Sequence, residues 1–352
     1  MIRWGFLGCG LVAHDVAEDF ALVGEATIHA VAARRIESAR AFSQRFGVPV
    51  VHDSLDALLA DPDIDIVYIA TPHHLHRDHC LAALRAGKPT LCEKPFTTDA
   101  ASAAEVIDAA REQGLFCMEA MWTRFFPAIR RIKALTDAGE LGELQWLSAD
   151  FGYPTWRDPA SRFFDPSQAG GALLDRGVYA LSLAQHLLGE PEAIATLATH
   201  GETGVDEQSA CLLRFPNGAL AQLGATLNGL TGNTAILTGT KGRLQILEPF
   251  YRPERFAIEY ASAAEPAGRG GGSRLARHPA LKKLRRRLAP VLKARLRGQR
   301  YTHRWPGNGY QFEIAEACRC LREGLTESPV MPLADTLAVM RMIDTIRSHW
   351  EH

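Results

Sequence analysis

The feature that most constrains the fold is a run of small residues near the start of the chain. The run Gly8-Cys9-Gly10-Leu11-Val12-Ala13 fits the pattern G-x-G-x-x-A. It follows a predicted strand over Ile2–Leu7 and overlaps the start of a predicted helix over Val12–Val23, and a second predicted strand, Ile28–Ala33, comes next. This order indicates the first unit of a parallel sheet that is covered by helices.

Each small residue of this run has a physical role. Gly8 allows the tight turn, Gly10 lets the backbone approach a pyrophosphate, and Ala13 lets the helix pack closely on the strand. The phosphates are expected on the backbone N–H groups of the helix N-terminus, at Leu11 and Val12. We therefore predict that the first part of the chain binds a dinucleotide. The alternative is a plain strand-turn-helix that binds no ligand.

The alternation of strands and helices continues to about residue 118. Further strands are predicted over Ile66–Ala70, Pro89–Cys92 and Leu115–Met118. Further helices are predicted over Ile36–Phe46, Ser54–Ala60, Leu75–Ala86 and Asp99–Gln113. This pattern predicts an α/β domain over residues 1–120, a Rossmann-type doubly wound parallel sheet.

From about residue 144 the pattern changes to successive strands. They are predicted over Gln145–Phe151, Ala193–His200, Ser209–Phe215, Ala219–Leu227, Thr234–Gly239 and Arg243–Ile246. One helix, Gly171–Leu188, interrupts them, and two more close the chain near Tyr310–Gly324 and Leu333–Trp350. We predict an α+β domain over residues 121–332 with a large, open, mostly antiparallel sheet, and a C-terminal helix over 333–352 that packs back on the first domain.

Composition and charge exclude several classes of protein. The net charge of −1 hides a basic stretch, because 12 of the 39 Lys and Arg residues lie between Arg269 and Arg300, which holds no acidic residue. The remainder has 27 basic and 40 acidic residues, a net charge of −13, which argues against nucleic-acid binding. Scattered cysteines, apolar runs too short for a membrane span and no secretory signal predict a cytoplasmic protein.

The residues after the second predicted strand indicate which dinucleotide is bound. An NAD site usually has a carboxylate there for the ribose hydroxyls, whereas this chain has Ala33-Arg34-Arg35. Two guanidiniums, Arg34 and Arg35, can pair with a 2′-phosphate. We predict NADP rather than NAD, although NAD stays an alternative because both arginines could simply begin the next helix in solvent.

Two segments carry candidate catalytic groups. Glu93-Lys94-Pro95 stands at the carboxyl end of a predicted strand, where ligands of open α/β sheets bind. Asp175 and Tyr179 are spaced i, i+4, so they share one face of the predicted helix. The alternatives are an exposed Glu-Lys pair, a local cap or salt bridge at Asp175, and a core position for Tyr179.

A third segment is rich in histidine. Thr71-Pro72 is followed by His73, His74, His76 and His79. His76 and His79 lie one helical turn apart, but no nearby cysteine or carboxylate set completes a ligand group, so we expect no metal. The segment is instead expected to line the cofactor crevice.

These segments together resemble the Gfo/Idh/MocA family of oxidoreductases over nearly the whole chain except the basic stretch. The matching pieces are Gly5–Gly10, Ala70-Thr71-Pro72 with His76, Cys92–Pro95 and Gly170–Asp175. Within that family, the run Met118–Pro127 resembles the dimeric dihydrodiol dehydrogenase branch. That branch is NADP-linked and is similar to this chain in having Tyr179 where many relatives have histidine.

The resemblance implies roles for particular residues. Lys94 and Tyr179 would manage the hydroxyl proton, Asp175 would orient the substrate, and Glu93 would position Lys94 and the nicotinamide ribose. Both Lys94 and Tyr179 have ordinary pKa values near 10, so which is the proton donor stays open; we favour Tyr179, with Lys94 as its electrostatic partner. Thr71, Pro72 and His76 would help bind the cofactor. The substrate pocket would be lined by Trp122, Arg124 and Phe126.

The basic stretch departs from the family pattern. Gly268–Ser273 is typical of a flexible linker, and leucines at helical spacing follow among lysines and arginines up to about residue 300. The segment 274–298 could bind an anionic membrane surface, but we favour an arm that pairs with the acidic body of its own oligomer. The resemblance implies a homodimer or homotetramer through the open face of the sheet in Gln145–Leu247.

The combined prediction is an NADP-dependent oxidoreductase that transfers hydride between nicotinamide C4 and a carbinol or carbonyl carbon of a sugar, cyclic polyol or trans-dihydrodiol. One alternative is an enzyme that holds NAD tightly in a closed redox cycle on sugars or glycosides. Another is a non-catalytic dinucleotide-sensing regulator, against which Lys94, Asp175 and Tyr179 together argue. The substrate, the reaction direction and the oligomer size stay open.

Overall fold

The computed structural model describes residues 1–261 and 298–350. Its first sheet has six parallel strands in the order β3-β2-β1-β4-β5-β6. The strands are β1 (Ile2–Leu7), β2 (Ala26–Ala32), β3 (Val50–His52), β4 (Ile66–Ile69), β5 (Thr90–Glu93) and β6 (Cys117–Ala120). The order reverses between β1 and β4, and a crevice forms outside the carboxyl ends of the strands at such a reversal. The predicted Rossmann architecture is confirmed.

Five helices connect these strands. They are α1 (Leu11–Asp19), α2 (Ile36–Phe46), α3 (Leu55–Leu59), α4 (His76–Arg85) and α5 (Ala100–Gln113). Helices α2 and α5 end at Gly47 and Gly114, which adopt the left-handed conformation that favours glycine at a helix end. Strands β4 and β5 are buried on both faces, so β4 is a continuous apolar run rather than an alternating one.

The second sheet has eight strands in the order β14-β13-β12-β11-β7-β10-β9-β8. They are β7 (Leu144–Gly152), β8 (Ala193–His200), β9 (Asp206–Arg214), β10 (Leu220–Thr226), β11 (Ala235–Gly239), β12 (Gly242–Ile246), β13 (Arg255–Tyr260) and β14 (Gly298–Thr302). Strands β7 and β10 pair in parallel, and the other neighbours are antiparallel. The predicted α+β fold with a mostly antiparallel sheet is confirmed.

The two faces of this sheet differ. The inner face is covered by α7 (Val178–Leu188), and residues such as Leu213 are buried there. The outer face is open in the described part of the chain. Its exposed apolar side chains include Trp146, Leu197, Leu212 and Leu220.

Three further helices complete the described chain: α6 (Pro127–Asp137), α8 (Gln311–Arg322) and α9 (Leu333–Ser348). The C-terminal helix α9 lies against the start of α5. The Ala100 amide donates to Asp344 at 2.8 Å, and the Arg347 guanidinium donates to the Thr98 carbonyl at 2.8 Å. In the described ranges, no helix combines the length and the apolar character that crossing a membrane requires.

Several elements differ from the sequence-based expectation. Strand β3 was not predicted because three residues are too few for a periodic pattern. Strand β13 was missed although Phe256, Ile258 and Tyr260 alternate along it, and β14 was missed because Tyr301 is its one large apolar residue. The predicted helix 171–188 begins with a π-helical turn, Leu173–Gly177, before α7. The basic segment up to residue 297, with its predicted helix, lies outside the described residues.

Candidate active site

The glycine turn after β1 leaves room in front of α1. Gly8 has φ +106°, and a Cβ there would lie well inside van der Waals contact of the Ala70 carbonyl. Gly10 is the N-cap of α1, and a Cβ there would meet nothing within 4 Å. No side chain caps Leu11–Asp19, and its first turn holds no acidic residue. The N–H groups at Leu11 and Val12 therefore face open space, which fits a pyrophosphate.

The loop after β2 carries two arginines. Arg34 and Arg35 are exposed, and Arg35 is the N-cap of α2. Ala33 stands at the end of the strand, where a carboxylate would repel a 2′-phosphate. This loop fits the phosphorylated ribose of NADP.

His76 joins the loops that follow β4 and β5. It is fully buried, and its ring nitrogens lie 2.8 Å from the carbonyl oxygens of Pro95 and Thr71. Burial lowers the pKa of His76 to about 4 although both carbonyls favour the charged ring, so the neutral ring donates to one of them at physiological pH. His79 turns away and contacts the Thr71 hydroxyl at 2.9 Å. The contacts of His76 thus hold the loop after β4 against the loop after β5 in the wall of the crevice.

Glu93 ends β5 and is held from two sides. The Tyr68 hydroxyl donates to one carboxylate oxygen at 2.6 Å, and the Lys94 backbone amide donates to the other at 3.2 Å. Burial raises the pKa of Glu93, and its hydrogen bonds and Lys94 act in the opposite direction. The next peptide bond, Lys94-Pro95, is cis. Glu93 therefore helps to hold the backbone from which the Lys94 side chain projects.

Lys94 and Asp175, which are 81 residues apart, meet across the crevice. The Lys94 ammonium donates to the Asp175 carbonyl oxygen at 2.8 Å and lies 3.3 Å from its carboxylate. Asp175 stands in the π-helical turn, and in that turn the Val178 amide reaches back to the Leu173 carbonyl. Turns of this kind are frequent at functional sites.

Asp175 is the counter-charge of this site. Its carboxylate also lies 3.2 Å from the Arg162 guanidinium. Burial favours the neutral acid, but Lys94 and Arg162 outweigh it, so the pKa of Asp175 lies below its usual value. Asp175 is therefore a carboxylate at neutral pH, paired with Lys94. Arg162 carried no sequence signal, since it belongs to an irregular loop.

Tyr179 lies on α7 beside this ion pair. The Lys94 ammonium is 4.8 Å from the centre of the Tyr179 ring, and the Trp122 indole N–H donates to the Tyr179 hydroxyl at 3.2 Å. Burial, and then Tyr310 and Glu93, raise the pKa of Tyr179 well above its usual value. The residue is therefore a neutral phenol that keeps its proton at physiological pH, and donation of that proton depends on stabilisation of the phenolate by a neighbouring positive charge.

Aromatic side chains surround Tyr179. Phe151 on β7 lies 5.2 Å from its ring centre, and Tyr251 stacks on Phe151 at 4.2 Å. Trp122 belongs to the same region, whereas Phe126 is fully buried between Trp122 and Trp305. Phe151 and Tyr251 were not predicted, because a strand residue and a loop residue carry no local motif.

Arg124 lies elsewhere than in the expected pocket. Its guanidinium is buried between α7 and α9, where it donates to Ser182 at 3.0 Å, to Gln185 at 2.7 Å and to Asp335 at 2.6 Å. The guanidinium is 1% exposed, and four of its five N–H donors already have acceptors within the protein. We therefore expect Arg124 to hold α7 against α9. Its position does not support the contact with substrate that the resemblance implied.

Comparisons with known proteins agree with this arrangement. The model of the Gfo/Idh/MocA oxidoreductase family with an NAD-binding Rossmann fold matches residues 2–121, and that of the Gfo/Idh/MocA C-terminal domain matches residues 129–245. Two similar relatives are the trans-1,2-dihydrobenzene-1,2-diol dehydrogenases of Bos taurus and Mus musculus. They are 32% and 34% identical, each over 98% of this chain and 96% of the relative.

Solved structures show the same fold. A 3-ketoreductase from Actinomadura kijaniata, in complex with NADP and TDP-benzene, is similar with a TM-score of 0.79 at 26% identity. The similarity covers 99% of this chain and 97% of that structure. The two family models together match residues 2–121 and 129–245, and the predicted resemblance is confirmed. The chain belongs to the Gfo/Idh/MocA family of oxidoreductases.

Proposed function

We propose that the chain is an NADP-dependent oxidoreductase that transfers hydride between nicotinamide C4 and a carbinol or carbonyl carbon of a sugar, cyclic polyol or trans-dihydrodiol. The observation that carries this proposal is the convergence of Lys94, Asp175 and Tyr179 at the carboxyl end of β5. In a Rossmann sheet that edge is where a dinucleotide binds.

The cofactor would be held mostly by backbone groups. Gly10 and the N-terminus of α1 would receive the pyrophosphate, and Arg34 and Arg35 the 2′-phosphate. Glu93 would hold the nicotinamide ribose. When bound, the nicotinamide supplies or accepts the hydride, and the protein supplies binding, orientation and the proton.

The protein's own chemistry is the movement of one proton. In the direction of reduction, the Tyr179 hydroxyl donates its proton to the substrate oxygen as hydride reaches the carbon; in oxidation the proton returns. The Lys94 ammonium, 4.8 Å from the ring, stabilises the negative charge that develops on either oxygen. Asp175 holds that ammonium in place.

The substrate class follows from the two kinds of wall. Lys94, Asp175 and Arg162 offer hydrogen-bonding groups on one side, and Phe151 and Tyr251 offer an aromatic surface on the other. A ring with adjacent hydroxyls and one apolar face fits both. The dihydrodiol dehydrogenase relatives and the TDP-benzene-bound ketoreductase support this range of substrates.

The first test is a substrate panel. Purified protein is mixed with trans-dihydrodiols, aldoses and cyclic polyols. The absorbance of NADPH is followed when NADP is the cofactor, and that of NADH when NAD is the cofactor. We expect turnover of at least one class, faster with NADP. No turnover of any class with either cofactor would contradict the proposal.

The second test is Tyr179→Phe. Loss of a positioned proton donor lowers kcat by about 10²- to 10⁴-fold while NADP binding persists. Tyr260→Phe removes the hydroxyl of a tyrosine on β13 that bonds Glu140 rather than any residue of the site, and it serves as the matched control. Near-normal turnover of Tyr179→Phe would remove Tyr179 from the proton transfer.

We further infer a homodimer through the open face of the second sheet. Leu197 is 80% exposed and Leu212 is 55% exposed on that face, and apolar surface of this kind favours a partner. Light scattering of Leu197→Asp with Leu212→Asp tests this. A dimer in wild type and a monomer in the variant is expected; a monomeric wild type would contradict it.

A further inference from the structure

Trp122, which donates to Tyr179, is itself held by a stacked ring. Tyr310 lies parallel to the Trp122 indole, with 4.2 Å between ring centres and 9° between planes. Trp122 follows β6 directly, whereas Tyr310 is the N-cap of α8. The stack therefore joins two distant parts of the chain immediately beside the Tyr179 hydroxyl.

Tyr310 is fixed by the last residue of α1. The buried Asp19 carboxylate accepts the backbone amides of Asn308, Gly309 and Tyr310, each at 2.8 Å. Gly309 has φ +110°, which the turn requires to direct successive amides at one carboxylate. Hydrogen bonds to a charged acceptor are stronger than neutral ones, so this turn holds Tyr310 firmly.

The polarity of the bond between Trp122 and Tyr179 matters for the chemistry. An indole nitrogen can only donate, so the Tyr179 oxygen accepts and its own proton points away from the indole. Among residues 1–261 and 298–350, no protein group accepts that proton. The hydroxyl is therefore set to donate to a group that enters the crevice.

We propose that Tyr310, fixed by Asp19, is a positioning residue that holds the Trp122 indole so that its N–H directs the Tyr179 hydroxyl toward the substrate oxygen. This rests on the proposed function of Tyr179 as proton donor. Helix α1 then serves both ligands, because its N-terminus faces the cofactor and Asp19 at its other end holds the aromatic stack.

The test compares Trp122→Phe, Tyr310→Leu and the double variant with the wild type. The first removes the N–H, and the second removes the stacked ring that holds it. We expect each single variant to lower kcat about tenfold, the order of one hydrogen bond, with little change in the KM for NADP. The double variant is expected to lose no more than either single variant, because both break the same interaction.

Controls separate positioning from a general loss of structure. Tyr310→Phe keeps the stacked ring and should retain most of kcat, and Tyr260→Leu removes a half-buried tyrosine of β13 whose hydroxyl bonds Glu140 rather than any residue of the site. Thermal unfolding is measured for each variant. If Tyr310→Leu does not fold, the test is the comparison of Trp122→Phe with Tyr310→Phe. A loss of kcat in Trp122→Phe but not in Tyr310→Phe then supports the proposal.

Two results would overturn the inference. One is a wild-type kcat in Trp122→Phe or Tyr310→Leu, and the other is a double variant whose losses multiply. Neither result contradicts the proposed function, which is tested by the kcat of Tyr179→Phe. If Tyr179→Phe itself stays active, the proposed role of Tyr179 fails first. A large loss in Tyr179→Phe with no loss in Tyr310→Leu rejects the positioning role alone.

Discussion

The two sides of the crevice are built differently. The side proposed for the cofactor consists mostly of backbone at the ends of β1, β4 and β5, with Gly8 and Gly10 leaving space for a ligand. The side proposed for the substrate consists of side chains from a π-helical turn, α7, β7 and the turn before α8. We expect the cofactor side to tolerate most side-chain substitutions that leave its backbone conformation unchanged. The substrate side depends on each side chain and on what holds it.

This difference separates two kinds of constraint. A backbone site is specified by short local segments, and its failure is one of folding or cofactor affinity. A side-chain site is specified by distant contacts, such as that between Lys94 and Asp175, and its failure is one of turnover. The following substitutions test that separation.

The largest effect is expected for Lys94→Met. Removing the ammonium takes away the charge beside the reacting oxygen, so kcat should fall by about 10²- to 10⁴-fold with NADP binding retained. Lys88→Met is the matched control, because Lys88 also donates to backbone carbonyls, at Asp61 and Ile64, but lies at the opposite end of β5. Steady-state kinetics of both variants give kcat, and titration with NADPH, followed by its fluorescence, gives the cofactor affinity. If Lys94→Met showed a weaker affinity for the cofactor and an unchanged kcat, Lys94 would be a cofactor-binding residue rather than a catalytic one.

The next effect is expected for Gly8→Ala compared with Gly10→Ala. The first places a Cβ against the Ala70 carbonyl in a backbone conformation that favours glycine, so the free energy of unfolding should fall by about 3 kcal/mol. The second places its methyl in open space, so stability should change by less than about 1 kcal/mol while the KM for NADP rises. Urea unfolding and kinetics separate them. Equal stability of the two variants would contradict this explanation.

Two buried carboxyls, Glu119 in β6 of the first sheet and Asp206 in β9 of the second, predict a pH dependence of stability. Burial raises the pKa values of Glu119 and Asp206 to about 7. The folded protein therefore keeps protons that the unfolded chain releases from about pH 4, so stability falls as pH rises toward 7 and stays low above it.

Glu119→Gln and Asp206→Asn remove this loss. In each variant, the difference in the free energy of unfolding between pH 5 and pH 8 should shrink by about 2 kcal/mol, at about 1.4 kcal/mol per pKa unit. Urea unfolding at both pH values is the measurement. A pH dependence identical to that of wild type in both variants would show that neither carboxyl titrates in this range.

The smallest effect is expected at the cofactor's outer end. Replacing Arg34 and Arg35 with alanine removes exposed guanidiniums, so kcat/KM with NADP should fall about 10- to 100-fold, as for a charged hydrogen bond. The value with NAD should change little. Arg40→Ala, an exposed arginine one turn further along α2, is the control. Equal losses with NADP and NAD would mean that the pair does not read the 2′-phosphate.

The first sheet could be predicted closely because its signals are local. Strand β1 and helix α2 have the predicted bounds, Ile2–Leu7 and Ile36–Phe46, since each shows a clear apolar period. The parallel pairing of β7 with β10 could not be predicted, because it depends on how distant strands meet.

The site itself was predicted in part. Lys94, Asp175 and Tyr179 lie together, as the family resemblance implied, whereas strand-end position and helical spacing alone did not bring Lys94 to the other two. Tyr310 and Arg124 could not be placed, since their surroundings arise only when the C-terminal helices pack. A buried arginine and a pocket arginine look alike in sequence, because long-range partners decide between them.

The π-helical turn at Leu173–Gly177 has a consequence for how such a site can change. A helix advances about 100° per residue, so a chain one residue shorter here would turn Asp175 away from Lys94 or Tyr179 away from Trp122. No point substitution on α7 rotates its face in this way. Chain length within one turn thus sets which side chains face the crevice, and we expect a single-codon deletion to alter turnover more than most replacements of the residues themselves.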